Sequence, residues 1–432
     1  MLTLLFDGVA YGMLLFVLAV GLAVTLGLMN FINLAHGAFA MAGGYVTVLL
    51  MNRLGVPFLV CLPIAFVVPA ILGAVLERTL YRPMYARPHL DQVLFSIGLV
   101  FMAVTGVDYF VGSMQQNIHL PDWLQGRLPI EAVGIGKYRL FIIVTCAVLT
   151  IALQWILSRT RFGSRLRASV DDPRVAGGLG LDVNRIFLAT FAVGSGLAGL
   201  GGALGAEVLG LDPTFPLKFM IYFLIVVTVG GTAGLVGPFV AALVLGIADV
   251  AGKYYVPSLG AFAFDLAGRT AFAYSLVVLF VLFAVARRIV HSPFGVSLRA
   301  IRDNPLRAAA IGIPVTRRLV AIYTIAAAYA GVAGALLAQT TQYASLDVLA
   351  FDRSADVLLV LVIGGTGWLY GGLVGALVFK IAQDFFSGLT PQYWHFWVGL
   401  VLVVLVLIGR DRMRDAAKGF VARFERRTER AT

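Results

Sequence analysis

The stretch 159–185, RTRFGSRLRASVDDPRVAGGLGLDVNR, returns at 291–317 as HSPFGVSLRAIRDNPLRAAAIGIPVTR. Aligned without a gap at an offset of 132, the two share Phe162 with Phe294, Gly163 with Gly295, Arg167 with Arg299, Ala168 with Ala300, Pro173 with Pro305, Ala176 with Ala308, Gly180 with Gly312 and Arg185 with Arg317. Each copy lies between long apolar runs, so each is an aqueous loop between membrane spans. Asp172-Pro173 and Asn304-Pro305 are turn or helix-start signals, because proline fixes its own φ and suits a first helical turn. Each copy therefore reads as a short helix lying along the cytoplasmic face. A basic loop obeying the positive-inside rule would explain the arginines but not the repeated spacing of Gly, Pro and Ala. The spacing points to a docking surface built twice.

Outward from these loops the chain is apolar. Of 432 residues 60% are hydrophobic and 13% charged, with a mean hydropathy of +0.93, which no soluble core of this length requires. The expected fold class is an all-α polytopic membrane protein. Thirteen apolar segments are predicted, near 8–28, 34–52, 57–76, 92–112, 139–158, 186–208, 219–234, 236–252, 270–287, 319–338, 355–369, 371–388 and 394–409. A helix needs about 20 residues to cross the hydrocarbon, so several of these are short and could be broken or re-entrant.

Net charge is +11, which in a soluble protein would suggest nucleic acid. Here placement decides otherwise: segments 77–91, 159–185, 287–318 and 410–432 hold 24 of the 33 Lys and Arg. Counting every apolar segment as a crossing from an outside N-terminus puts all four on one side, the cytoplasmic one. One miscounted span would have inverted everything after it. No basic region precedes the first apolar run, so that run reads as a retained span with an outside start and a cytoplasmic C-terminus. Cys61 and Cys146 sit in apolar runs, and the five His show no ligand spacing, so neither a disulfide framework nor a metal site is expected.

The stretch Leu28–Phe39, LMNFINLAHGAF, places Asn30, Asn33 and His36 between two apolar runs. Such groups cannot face lipid cheaply. Either they line a polar path at a discontinuous helix, or they form a tight turn with a polar cap. Further on, Gly194-x-Gly196-x-x-Gly199 has the spacing of a dinucleotide fingerprint, but no strand precedes it and its surroundings are apolar. Small residues there, with Gly201 and Gly205, instead suit close helix packing in lipid.

The repeat extends past the loops. Ala198-Gly199 answers Ala330-Gly331 and Gly202-Ala203 answers Gly334-Ala335 at the same offset, and VGGT ending at Thr232 answers IGGT ending at Thr366. A unit of roughly 110 residues thus occurs twice in one orientation, as parallel repeats do. Residues 1 to about 138 have no counterpart before the second loop, so the second unit lacks its front.

These motifs resemble the permeases of branched-chain amino acid ABC importers. Residues 1–262 look like a first permease subunit, through NFINLAHGAFAMAGGY, DQVLFSIGL, TRFGSRLRASVDDPRVAGGLGLDV and VGGTAGLVGP. Residues 263–432 look like the C-terminal part of a second, through SPFGVSLRAIRDNPLRAAAIGIPV and VIGGTGWLYGGLVGALV. The resemblance implies ATP-driven import across the bacterial inner membrane by a non-enzymatic subunit. Its partners would be two cytoplasmic ATPases, a periplasmic binding protein and a second permease chain. The chain holds no cofactor and no Walker loop, since Gly136-Lys137 and Gly252-Lys253 are each followed by Tyr. ATP-Mg would be bound by the partners.

For ATPase docking the candidates are Gly163, Arg167, Asp172, Pro173 and Gly180 in the first loop, with Arg299, Asn304, Pro305 and Gly312 in the second. The arginines would pair with acidic groups of the partner or with lipid phosphate. For the substrate path the candidates are Asn30, Asn33, His36, Thr232 and Thr366, although Thr in an apolar helix often bonds its own backbone. No catalytic residue is expected. An ion-driven transporter is the competing class, but it would carry buried acidic sites. Here Asp108, Glu207, Asp249, Asp265 and Asp384 lie toward expected external ends. Urea, short amides and aromatic acids are alternative cargoes within the same importer class.

Overall fold

The structure is a computed structural model that describes residues 2–29, 31–85, 87–127, 135–231, 234–255, 268–341, 350–365 and 369–408. The predicted apolar segments are helical there. In chain order the helices are α1 (Leu2–Met29), α2 (His36–Leu54), α3 (Phe58–Leu76), α4 (His89–Val111), α5 (Lys137–Arg159), α6 (Arg161–Asp171), α7 (Pro173–Gly178), α8 (Val183–Leu209), α9 (Phe215–Gly230), α10 (Val236–Tyr255), α11 (Gly268–Val290), α12 (Pro293–Asp303), α13 (Pro305–Ala310), α14 (Val315–Thr341), α15 (Phe351–Gly364), α16 (Gly371–Leu389) and α17 (Trp394–Ile408). Among the described residues, eight helices are long and apolar enough to span a bilayer, and α9, α10 and α17 are shorter apolar helices. The protein is an all-α polytopic membrane protein. Its second half repeats the element order of the first, with α6, α7 and α8 returning as α12, α13 and α14.

Two compact units are present: residues 1–257 with 377–432, and residues 258–376. The first is organised around α8. In lipid there is no hydrophobic drive between helices, so association rests on close van der Waals approach across small residues. The glycines of α8 supply that approach on several sides. A Cβ on Gly202 would collide with the Ala40 carbonyl of α2, and one on Gly199 with Ala65 and Pro69 of α3. Gly43 of α2 lies against the backbone of Gly199. The glycine pattern is therefore a packing seam, as the apolar surroundings of the fingerprint-like spacing implied. A second seam joins α1 to α10, where Gly8 and Gly12 meet Ile247, Ala242 and Leu243. A third joins α4 to α17, where a Cβ on Gly98 would stand 2.8 Å from the Gly399 carbonyl oxygen.

The second unit uses the same residues differently. The apolar window of α8 is 61% buried, whereas that of α14 is 0% buried, so the repeated sequence does not bring repeated packing. Gly331 and Gly334, the counterparts of Gly199 and Gly202, have no atom within 4 Å of a built Cβ. Tyr329 of α14 does reach α11, donating to the Leu282 carbonyl at 3.0 Å.

These environments predict opposite signs for one substitution. Gly202→Ala forces α2 and α8 apart and should destabilise by about 1–3 kcal/mol, the range for overpacking a tight interior. Gly334→Ala adds a methyl in open space and should be neutral or stabilise by up to about 1 kcal/mol through helix propensity. Thermal unfolding of the two variants in detergent distinguishes them.

Candidate functional site

The two repeated loops fold as matching elbows. In the first, α5 ends at Arg159 and Thr160 turns the chain, its hydroxyl accepting from the Gly163 N–H at 3.4 Å. Helix α6 then presents Gly163, Leu166 and Ser169 as its buried positions. Asp172 closes α6 and opens α7, its carboxylate accepting from the Arg174 and Val175 N–H groups at 2.9 and 3.1 Å. This is N-capping by a short acceptor, with Pro173 at the first helical position where no donor is needed. Helix α7 ends on Gly180 in the left-handed region, φ 84°, with the Leu181 N–H reaching back to Ala176 at 3.1 Å. Asp182 caps α8 by accepting from the Arg185 N–H at 3.1 Å.

The second elbow repeats this chemistry with different residues. Ser292 takes the place of Thr160, accepting from Gly295 at 3.3 Å, and Asn304 takes the place of Asp172, accepting from Arg307 at 3.0 Å. Pro305 opens α13, Gly312 has φ 86°, and Ile313 bonds back to Ala308 at 3.1 Å. Asp and Asn are interchangeable here because the cap needs only a short oxygen acceptor.

The structure adds internal roles for the repeated Gly and Arg. A Cβ on Gly163 would strike the Leu157 and Ile156 carbonyls, and one on Gly295 the Val290 and Ile289 carbonyls. These glycines let each elbow tuck under the preceding span. Arg167 donates to the Leu157 carbonyl, and Arg299 donates to the Val290 carbonyl at 3.0 Å. Each arginine thereby satisfies a carbonyl left over at a helix C-terminus. Both side chains remain exposed. Arg318 stands over the Phe294 ring at 5.1 Å, adding a cation–π contact inside the second elbow.

Sequence reasoning missed the apolar residues that the elbows expose. Leu179 is 78% exposed and its counterpart Ile311 is 74% exposed, and Val175 and Leu306 are also exposed on α7 and α13. Their recurrence at an offset of about 132 was available in the sequence, but apolar residues in an apolar chain carry no signal until burial is known.

Of the path candidates, Asn30, Thr232 and Thr366 lie outside the described residues. Asn33 and His36 are each 1% exposed and sit where the chain breaks between α1 and α2. The Asn33 side-chain oxygen accepts from the Ala35 N–H at 3.1 Å and from the Tyr81 hydroxyl at 3.0 Å. That local bond competes with continuing the helix and makes the break. Gln92 of α4 accepts from the Ile32 N–H at 3.2 Å and donates to the Arg87 carbonyl at 3.0 Å. Nearby, Tyr85 donates to buried Glu77 at 3.1 Å. Burial first, and then the Glu77 carboxylate, push the Tyr85 hydroxyl well above its ordinary value, so it remains a donor at neutral pH. Asn33 is thus part of a buried polar joint between the break before α2, α4 and the turns after α3, whereas the His36 ring lies against Gly21 of α1. Among the described residues, no cluster of His, Cys, Asp and Glu could hold a metal ion.

Comparison with known proteins agrees with this architecture. The family model described as branched-chain amino acid transport system, permease component, matches twice, over residues 4–262 and 257–408. A probable branched-chain amino acid transport permease protein LivH of Methanocaldococcus jannaschii is 27% identical over 298 residues, covering 67% of this chain and 90% of the relative. A permease protein of a high-affinity branched-chain amino acid transport system, BraD of Pseudomonas aeruginosa, is 25% identical over 291 residues, covering 65% and 92%. The corresponding protein LivM of Salmonella typhimurium is 27% identical over 146 residues, covering 33% of this chain and 34% of the relative. No solved structure matches the chain.

The capping scheme has a local test. Asp172→Ala removes the cap of α7 and Asn304→Ala that of α13, each costing about 0.5–2 kcal/mol of helix stability. Hydrogen exchange should quicken at 174–178 in the first variant and at 306–310 in the second, with α8 and α14 unchanged.

Proposed function

Since the chain belongs to the branched-chain amino acid transport permease family, we propose that it is the membrane subunit of an ATP-driven importer of branched-chain amino acids. Separate cytoplasmic ATPases bind ATP-Mg and dock on the two elbows. The observation that carries this reading is the pair of elbows itself: two short, capped helices, alike in their repeated positions, each offering an exposed aliphatic side chain beside arginines. Leu179 and Ile311 are the apolar contacts of that surface, since large apolar groups held out on a capped turn suit a protein groove. Arg167 and Arg299 hold each elbow to the preceding span, and their free donors add charge to the surface.

In this reading a periplasmic binding protein delivers the amino acid to the opposite face, near the loop 113–136, whose Gln116 N–H donates to the Leu211 carbonyl at 2.7 Å. The N-terminus lies outside and the C-terminus inside the bacterial inner membrane. Asn30, Asn33, His36, Thr232 and Thr366 are the polar groups nearest to hand for a path through the bundle. A second permease chain completes the core, consistent with a second half that corresponds to only about a third of its LivM relative.

Co-expression with the candidate ATPases tests the docking surface. Leu179→Asp with Ile311→Asp should abolish co-purification while leaving the caps intact. Arg167→Glu with Arg299→Glu should abolish it too, with faster exchange in both elbows. Unchanged association in both double variants would refute the assignment. Uptake of labelled leucine into cells carrying the full system should fall in parallel with association.

A further inference from the structure

Two adjoining cavities lie behind the first elbow, and their linings differ in kind. The larger, about 450 Å³, opens among the ends of α1 and α5, helix α6 and the turn between α9 and α10, with Gln154, Ser158 and Arg167 at its polar edge. The smaller, about 210 Å³, runs between α5 and α8 and is walled by Leu153, Ile156, Phe162 and Val193. Val24, Leu157 and Leu166 border both, so the two chambers adjoin, one edged by polar groups and the other wholly apolar. Thr190 also lines the apolar chamber, but its hydroxyl donates to its own helix at the Ile186 carbonyl, 2.8 Å away.

We propose that these chambers are a binding site for an anionic phospholipid, with the phosphate diester at Arg167 and the first carbons of one acyl chain in the apolar chamber. Three observations select this ligand. Arg167 spends one donor on the Leu157 carbonyl, and a guanidinium has further donors in a fork that suits phosphate oxygens. Among the described residues no Asp or Glu lines either cavity, so the ammonium of a zwitterionic headgroup or of a free amino acid has no counter-charge there. A free phosphate would use the polar chamber and leave the apolar chamber unexplained, whereas an amphiphile fills both. Arg161 and Arg165 on the same exposed helix add to the positive field at the mouth.

The α1 wall ties this site to the first elbow. Arg299 makes the corresponding bond to Val290, but the wall contributed by Val24 comes from α1, and the second repeat has no counterpart of α1 in its sequence. A bound lipid would fasten α6 to α1, α5 and α8, the helices that wall the two chambers. The position of the first elbow would then depend on lipid composition.

The full chain, purified without any ATPase and loaded from defined mixed micelles, tests this by native mass spectrometry. Phosphatidylglycerol should be retained in preference to phosphatidylcholine. Arg167→Gln should reduce phosphatidylglycerol retention on the order of tenfold, as loss of a charge-assisted hydrogen bond does. Ala189→Phe, which fills the apolar chamber from α8, should reduce retention of both lipids, and it decides the question where Arg167→Gln does not fold. Arg299→Gln should leave retention within about twofold of wild type, since that arginine stands outside the site. Equal retention of the two lipids, displacement of the lipid by millimolar inorganic phosphate, or full retention in Ala189→Phe would overturn the proposal. Because no ATPase is present, none of these results bears on docking, and a failed docking test leaves this one standing.

Discussion

Close backbone contact along α8 is the constraint on which the first unit depends. Lipid tails are as apolar as leucine, so a membrane bundle holds together only where backbones can approach without intervening side chains. Glycines 196, 199 and 202 provide that approach to α3 and α2, and residues 21 and 194 bring α1 against the same helix. Each of these contacts sets backbone against backbone or ring, so little compression is available. The elbow is continuous with α8 through Asp182, whose side chain caps that helix, so the first elbow leads directly into the helix that packs on α1, α2 and α3.

The second unit shows what this seam contributes by lacking it. Its elbow is formed as fully as the first, with the same cap positions, the same left-handed glycine and the same arginine-to-carbonyl bond. Its long helix α14 keeps glycines at the matching positions, yet nothing approaches them. Elbow formation is therefore a local event, decided within a single loop by hydrogen bonds that need no partner helix. Bundle formation is non-local and needs the front spans that the second repeat does not have.

That division also explains what can be read from sequence. Caps, prolines and left-handed glycines act at fixed short spacings, so Asp172, Pro173, Gly180 and their counterparts are visible as a pattern. The spans are visible because hydropathy integrates over about 20 residues. The small-residue seam is visible as composition, although its partners are not. Arg167 and Arg299 read as outward-facing, and their bonds to Leu157 and Val290 stay hidden because a reach back to the preceding helix end has no sequence signature. The exposure of Leu179 and Ile311 is equally hidden. The packing of α17 on α4, through Gly98 and Gly399, pairs segments at opposite ends of the chain, which no local pattern encodes.

The buried joint at Asn33 gives the polar stretch before α2 a physical purpose that a turn alone would not. Tyr81 is fully buried, donates to Asn33, and stands against Phe31 at 5.5 Å, Phe95 at 5.3 Å and Phe191 at 4.8 Å between ring centroids. Those rings come from the break itself, from α4 and from α8. One side chain thus touches the helix that continues the elbow, the helix that receives α17, and the point where α1 gives way to α2. A polar break costs free energy in an apolar bundle unless its atoms are bonded. Tyr81 bonds the Asn33 side-chain oxygen and Gln92 the Ile32 N–H, and the Tyr81 ring packs on Phe191 of α8. A displacement of α8 relative to α4 must then either strain the Tyr81–Asn33 bond or carry the break along. The break at Asn33 is accordingly bonded to the same side chain that packs on the helix continuing the elbow.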